Sequence, residues 1–188
     1  MPRSESYTKH IACLESLWNT DLEERWSIQP ILALIANIQD CRLAHLTCNT
    51  EPEFAYNLQM LGRRRQDGIL YLAFHGAPGE IYLADDTSIT LEDLAEYMGT
   101  RFSGWIVHFG SCSTIGADQD RLEQFIKATG VHMMIGYTKD VDWIESSAMD
   151  MLIFQALQQY VDLHAFWRFL QKSYPDLIAK TGLNVAVG

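Results

Sequence analysis

The chain has 188 residues, of which 48% are hydrophobic and only 20% are charged, a composition that supplies one buried core and excludes a disordered chain. Acidic residues outnumber basic ones by 24 to 14, which gives a net charge of −10. This charge argues against partners such as nucleic acid or an anionic membrane, because binding to phosphate groups requires clustered Lys and Arg side chains. No apolar run approaches the ~20 residues that cross a bilayer, and residues 1–10 lack the apolar segment of a secretory signal. We therefore expect a soluble, cytoplasmic protein with a single domain over residues 1–188.

The chain alternates strand-like and helix-like segments. The predicted strands, in chain order, are 10–18, 42–47, 69–74, 80–83, 105–109 and 131–137, with 183–187 as either a short last strand or a loose end. The predicted helices are 30–40, 52–61, 91–98, 118–128, 144–160 and 162–180, the last with a break near Pro175. Thr90 and Asp93 form a capping box before the third helix. Strands that alternate with helices imply right-handed crossovers, so we expect an α/β fold, a three-layer α/β/α sandwich with a mainly parallel sheet.

The sequence contains no metal or cofactor motif. Its four cysteines, Cys13, Cys41, Cys48 and Cys112, show no C-x-x-C pair, and neither they nor the histidines match a zinc signature. The phosphate-binding patterns G-x-G-x-x-G and G-x-x-x-x-G-K-[ST] are absent. We expect reduced thiols, no metal and no cofactor, with three cysteines packed as small hydrophobic residues and one available for chemistry.

Two apolar strands end in reactive residues. The first, ILYLAF, is followed by His75 and Gly76, and the second, WIVHF, leads through a Gly-Ser pair to Cys112. In open α/β sheets, sites form outside the carboxyl ends of the strands, and neighbouring strands lie about 4.8 Å apart. If these two strands are neighbours, the His75 imidazole and the Cys112 thiol emerge side by side, as a nucleophile and its base require. The amides of Gly76 and Cys112 are candidates for an oxyanion hole.

Each residue alone also has an ordinary structural interpretation. A histidine at a strand end is usually a surface or hydrogen-bonded residue, and a buried cysteine is usually inert. The pairing of two apolar strands, each ending in one member of a dyad beside a glycine, favours catalysis. His108 lies inside the second strand and is interpreted as a packed or hydrogen-bonded histidine.

The segments ILYLAFHGAPGEIYL, WIVHFGSCST and MMIGYTKDVDWIESSAMDMLIFQAL resemble the caspase-like (clan CD) cysteine peptidase fold, and they are particularly similar to bacterial CHAT-type domains. That superfamily pairs a strand-ending His-Gly with a Cys at the end of the next core strand, some tens of residues later. The resemblance covers residues 69–157, about half of the chain. It implies a caspase-like α/β/α sandwich and a His-Cys dyad.

The resemblance also implies roles for individual residues. His75 would act as base or proton donor, Cys112 as the nucleophile that forms a thioester, and Gly76 as an oxyanion-hole amide. The loop after the next strand would pair with an extended substrate peptide. The implied substrate-binding residues are Tyr137, Asp140, Asp142, Trp143 and Glu145, with the three acids as a pocket for a basic side chain. The acids can equally be charges favoured at a helix start near Ile144, and Trp143 can equally be plain core.

The chain departs from the caspase pattern in two ways. The signature Q-A-C-x-G is absent, and there is no obvious set of arginines to hold an aspartate, so Asp specificity is not expected. We expect an endopeptidase that cleaves protein substrates after a basic residue, in bacterial regulated proteolysis or defence, under the control of a partner chain or self-assembly. Two alternatives stay open: a non-catalytic protein-binding module with the same fold, and a small-molecule hydrolase that uses the same dyad.

Overall fold

The computed structural model describes residues 8–19, 21, 23, 26–63 and 68–188, which form nine strands, seven α-helices and two short 3-10 helices. The strands are β1 (His10–Glu15), β2 (Leu43–Thr47), β3 (Gly68–Ala73), β4 (His75–Ala77), β5 (Glu80–Tyr82), β6 (Ser88–Thr90), β7 (Ile106–Phe109), β8 (Met133–Tyr137) and β9 (Leu183–Val187). The α-helices are α1 (Gln29–Gln39), α2 (Glu51–Leu61), α3 (Leu91–Met98), α4 (Gln119–Thr129), α5 (Trp143–Leu157), α6 (Leu163–Ser173) and α7 (Pro175–Thr181). The 3-10 helices are Gly99–Phe102 and Thr114–Gly116.

Six strands form the central sheet in the order β2-β1-β3-β7-β8-β9. The first five are parallel to one another, and only β9 at the edge runs antiparallel, against β8. Because β3 and β7 are hydrogen-bonded neighbours, their carboxyl ends meet at the middle of one sheet edge.

Alternating side chains of the strands enter two separate cores. In β3, Leu70 and Leu72 pack in the core that includes residues of α2, α3 and α4, while Ile69 and Tyr71 pack in the core that includes residues of α1, α5 and α6. Helices therefore cover both faces of a mainly parallel sheet. This architecture confirms the predicted three-layer α/β/α sandwich.

The predicted elements match the observed ones closely, with two differences. The first strand ends at Glu15 and not at position 18, because Trp18 turns back so that its indole N–H donates to the Glu15 carboxylate at 2.8 Å. The short strands β4 and β6 were not predicted; β6 lies directly before the Thr90–Asp93 capping box, which is present as expected. Residues 183–187 form a strand and not a loose end.

The three short strands β4, β5 and β6 form a small antiparallel sheet at the carboxyl end of β3. Only Phe74 separates β3 from β4, so the central sheet leads directly into this second sheet. The backbone N–H of Gly79 donates to the Thr114 carbonyl at 3.0 Å, and the Thr114 hydroxyl donates to the Glu80 carbonyl at 3.1 Å. These bonds join the small sheet to the loop that follows β7.

Residues 1–7, most of the segment considered above for a signal, lie outside the described residues. Within the described ranges, none of the helices combines the length and apolar character that crossing a membrane requires.

Candidate functional site

His75 is the first residue of β4 and is exposed at the carboxyl end of β3. Its Nε2 lies 3.0 Å from the backbone carbonyl oxygen of Trp18. A carbonyl oxygen only accepts hydrogen bonds, so Nε2 carries a proton and Nδ1 is the ring nitrogen left to act as a base. The indole of Trp18 also packs edge-on against the imidazole, with ring centroids 5.3 Å apart. Trp18 therefore sets both the tautomer and the orientation of His75.

Cys112 follows the end of β7 and is half-buried. The backbone N–H of Gly110 donates to the Leu72 carbonyl at 2.9 Å, which extends the β3–β7 pairing by one residue beyond the strand. The chain then turns sharply, and Ser113 adopts a left-handed conformation with a φ of 57°. The turn ends the strand and leaves the thiol of Cys112 at the sheet edge.

Gly76 packs directly against the Cys112 loop. A Cβ atom built on Gly76 would lie 2.8 Å from the carbonyl oxygen of Cys112 and 2.9 Å from Cβ of Ser111, and it would overlap the hydroxyl of Thr114. Only glycine allows two backbone segments to approach this closely. The strand that carries His75 and the loop that carries Cys112 are thus in contact, as the sequence argument required.

The three predicted pocket acids have different surroundings. Asp140 is exposed and accepts a hydrogen bond from the hydroxyl of Ser113, the residue after Cys112, at 3.0 Å. Asp142 is the N-cap of α5, and its carboxylate accepts from the backbone N–H groups of Ile144 and Glu145. Glu145 itself forms an ion pair with Lys180. Asp140 is therefore the acid that contacts the Cys112 loop, whereas Asp142 has the helix-capping role that was the alternative interpretation.

The two predicted aromatic residues also differ. Trp143 is partly exposed and packs edge-on against Trp18 with ring centroids 4.7 Å apart, so it belongs to the aromatic group beside His75. The ring centroid of Trp26 lies 5.8 Å from that of Trp143, and Trp26 is 56% exposed. Tyr137 is fully buried, so any contact of this residue with a ligand would involve its backbone.

A buried polar network that the sequence analysis missed lies beneath the strand ends. Asp150 of α5 accepts hydrogen bonds from the hydroxyls of Tyr71 at 2.5 Å and Tyr137 at 2.6 Å, and its carboxylate lies 2.7 Å from Nε2 of His108. These residues come from β3, β8 and β7, so one carboxylate links three strands. Burial, followed by the charge of Asp150, raises the pKa of both tyrosines well above the ordinary range, so both hydroxyls remain donors. The expectation for His108 is confirmed. The sequence signal that could have predicted this network is the acid Asp150 inside the apolar run MDMLIF, because a charged residue is rarely buried without partners.

The other three cysteines are less suited to chemistry. Cys13 and Cys48 are fully buried, and burial raises the pKa of Cys48 to about 12 and raises that of Cys13 well above its ordinary value. Cys41 is half-buried, and its pKa is raised by burial and then by the charge of Asp40. Among the described residues, no group of three or more His, Cys, Asp and Glu side chains is arranged to hold a metal ion.

Comparisons with known proteins place the fold. The sequence model described as "Family of unknown function (DUF6642)" matches residues 8–185. No curated protein matches the chain. Among solved structures, caspase-1 from Spodoptera frugiperda is similar with a TM-score of 0.60 and 11% identity, over 96% of this chain and 86% of that one. The Drosophila initiator caspase Dronc has a TM-score of 0.62 and 8% identity, over 98% of this chain and 81% of that one. At these identities the likeness establishes a caspase-like fold.

Proposed function

We propose that this chain, which belongs to the DUF6642 family of unknown function, is a cysteine peptidase in which Cys112 is the nucleophile and His75 is the base. The observation that carries the proposal is the contact between Gly76, beside His75, and the loop that holds Cys112. It brings one base and one thiol to the carboxyl ends of two adjacent parallel strands. The caspase-like fold agrees with this chemistry.

The proposed reaction has two stages. Nδ1 of His75 takes the proton of the Cys112 thiol as the sulfur attacks the carbonyl carbon of a peptide bond, and the negative charge moves to the carbonyl oxygen. The amides of Gly76 and Cys112 stabilise this oxyanion. As the C–N bond breaks, the imidazolium donates its Nδ1 proton to the leaving amine, and the acyl group stays on sulfur as a thioester. Water then attacks the thioester and gives one proton to His75. The carboxylic acid leaves, and His75 returns that proton to the sulfur, which restores the Cys112 thiol.

Asp140 supports the finer proposal that cleavage follows a basic residue. It is exposed and hydrogen-bonded to the residue next to Cys112, so its carboxylate lies where it could attract a Lys or Arg side chain of the substrate.

Replacement of Asp140 by Asn keeps the side chain's size and removes the charge. We expect this variant to lose about tenfold in kcat/KM for peptides with Lys or Arg before the cleaved bond, and to retain the Cys112 alkylation rate. Equal losses for basic and neutral peptides would remove Asp140 from the specificity pocket.

The biological setting follows from the same proposal. The resemblance to CHAT-type domains favours regulated proteolysis or defence in bacteria, with other proteins as substrates and a partner chain or self-assembly as the control. A purified chain that cleaves no peptide until a partner is added would fit this setting.

The decisive experiment measures the rate at which iodoacetamide alkylates each cysteine, read by mass spectrometry as a function of pH. We expect Cys112 of the wild type to react at least about tenfold faster than Cys41 at neutral pH, because an adjacent imidazole can take the thiol proton. In the His75→Ala variant the alkylation rate of Cys112 should fall by about the same factor, while the rate of Cys41 should not change. Cys41 is the internal control, since it is also partly exposed and its raised pKa comes from burial and Asp40, not from His75.

A rate for Cys112 that does not depend on His75 would refute the dyad. The same chain would then be better described as a protein-binding module with a caspase-like fold, and a search for partners would take priority over a search for substrates.

A further inference from the structure

Glu15 is a buried carboxylate beside the proposed site. It is the last residue of β1 and is 3% exposed. Each of its two carboxylate oxygens accepts two hydrogen bonds. Oε1 accepts from the indole N–H of Trp18 at 2.8 Å and from the backbone N–H of Ile28 at 2.8 Å, while Oε2 lies 2.6 Å from both the hydroxyl of Ser27 and Nε2 of His45. Each carboxylate oxygen therefore has two partners.

One of these bonds holds Trp18. The indole N–H of Trp18 is held by Glu15, and the backbone carbonyl of the same residue accepts the hydrogen bond from Nε2 of His75. Glu15, Trp18 and His75 thus form one hydrogen-bonded chain. Two further donors, at Ser27 and Ile28, tie the segment before α1 to the same carboxylate.

The carboxylate is charged in this setting. Burial by itself raises the pKa of Glu15, but the hydrogen bonds from His45, Ser27, Trp18 and Ile28 outweigh it, so the pKa lies below its ordinary value. A hydrogen bond to an ionised acceptor is stronger and more directional than one between neutral groups. Glu15 therefore holds the indole of Trp18 more firmly than packing alone would.

We propose that Glu15 is a positioning residue, which acts through Trp18 to fix the tautomer and the orientation of the His75 imidazole. The inference rests on the proposed function, because it assigns a remote residue to the same dyad. Glu15 is separated from His75 by Trp18, so its influence passes through the Trp18 carbonyl.

The test is a double-mutant cycle in the full chain with Glu15→Leu, Trp18→Phe and the double variant. Trp18→Phe removes the indole N–H but keeps an aromatic ring against His75. Two quantities are measured: the tautomer of His75, from the ¹⁵N chemical shifts of its ring nitrogens, and the alkylation rate of Cys112 by iodoacetamide. We expect each single variant to replace the single Nε2–H tautomer by a mixture and to slow alkylation by about three- to tenfold. The double variant should be no slower than the slower single variant, because both changes break the same chain.

Two controls separate positioning from general loss of structure. Ser27→Ala removes another hydrogen bond to Glu15 without touching Trp18, so it should lower the unfolding midpoint and leave both readouts at wild-type values. Glu15→Gln keeps an oxygen that can accept from Trp18 and Ile28, so it should restore the His75 tautomer. If Glu15→Leu does not fold, Trp18→Phe and Glu15→Gln are sufficient for the test.

Several outcomes would overturn the inference: an unchanged tautomer in Trp18→Phe, single effects that multiply in the double variant, or a Ser27→Ala effect as large as that of Glu15→Leu. These differ from failure of the proposed function, which would appear as Cys112 alkylation that does not depend on His75. The measurement of the His75 tautomer does not depend on the reactivity of Cys112. It therefore tests the role of Glu15 whether or not the proposed function is correct.

Discussion

Replacement of Gly76 by Ala tests whether the contact between β4 and the Cys112 loop holds the proposed dyad together. The added Cβ would lie 2.8 Å from the carbonyl oxygen of Cys112, whereas ordinary van der Waals contact begins at 3.4 Å, so the two segments must separate by about 0.6 Å. The overlap with the Thr114 hydroxyl is larger. Thr114 is fully buried and its hydroxyl is bonded to Ser111 and to the Glu80 carbonyl, so it cannot rotate away without losing those bonds.

Two effects of this displacement can be estimated. Forcing one extra carbon into a packed site costs about 1–3 kcal/mol of unfolding free energy. A shift of about 1 Å in reacting groups can cost about a hundredfold in rate, so a displacement of 0.6 Å should reduce the His75-dependent alkylation of Cys112 by about tenfold. The first effect is measured by urea unfolding, and the second by mass spectrometry of the alkylated protein.

Gly62→Ala is the matched control. A Cβ at Gly62 would approach side chains of Arg101 and Phe102 at 3.0–3.2 Å and no backbone atom within the nearest contacts, so we expect a smaller loss of stability and an unchanged alkylation rate. A Gly76→Ala protein with wild-type stability and a wild-type Cys112 rate would refute the reasoning, since the close approach would then have no consequence for the site.

Two further predictions concern the buried carboxylates. Asp150→Leu leaves the hydroxyl of Tyr71 and the imidazole of His108 without their buried acceptor. We therefore expect the free energy of unfolding, measured in urea, to fall by about 3–5 kcal/mol. A fall below about 1 kcal/mol would contradict a stabilising role for the network. For Glu15, the folded pKa lies below the ordinary value of 4.5, so its contribution to stability is present above about pH 4.5 and is lost as pH falls through the folded pKa. The unfolding midpoint of Glu15→Gln should therefore depend less on pH than that of the wild type between about pH 6 and pH 3, and parallel curves for the two proteins would contradict the assignment.

Local patterns in the chain were sufficient to predict most of the secondary structure and the three-layer architecture. Apart from His108, the runs ILYLAF and WIVHF consist of apolar and aromatic residues. Such runs form strands that are covered on both faces, as β3 and β7 are. Their reactive ends, at His75 and Cys112, could be predicted from the same runs, because the carboxyl ends of parallel strands share one edge. That these strands are neighbours is a property of the sheet order, which an apolar pattern does not encode.

The surroundings of the proposed dyad depended on contacts between residues far apart in the chain. The carbonyl that orients His75 belongs to Trp18, 57 positions earlier, and any residue type could have supplied a backbone oxygen there. Asp140 and Asp142 are the same residue type two positions apart, yet one contacts the Cys112 loop and the other caps a helix. Local sequence specifies which groups are present and which elements they end, whereas the sheet order and the packing of the loops set which of those groups meet, because hydrogen bonds and close contacts act over a few ångströms in space and not along the chain.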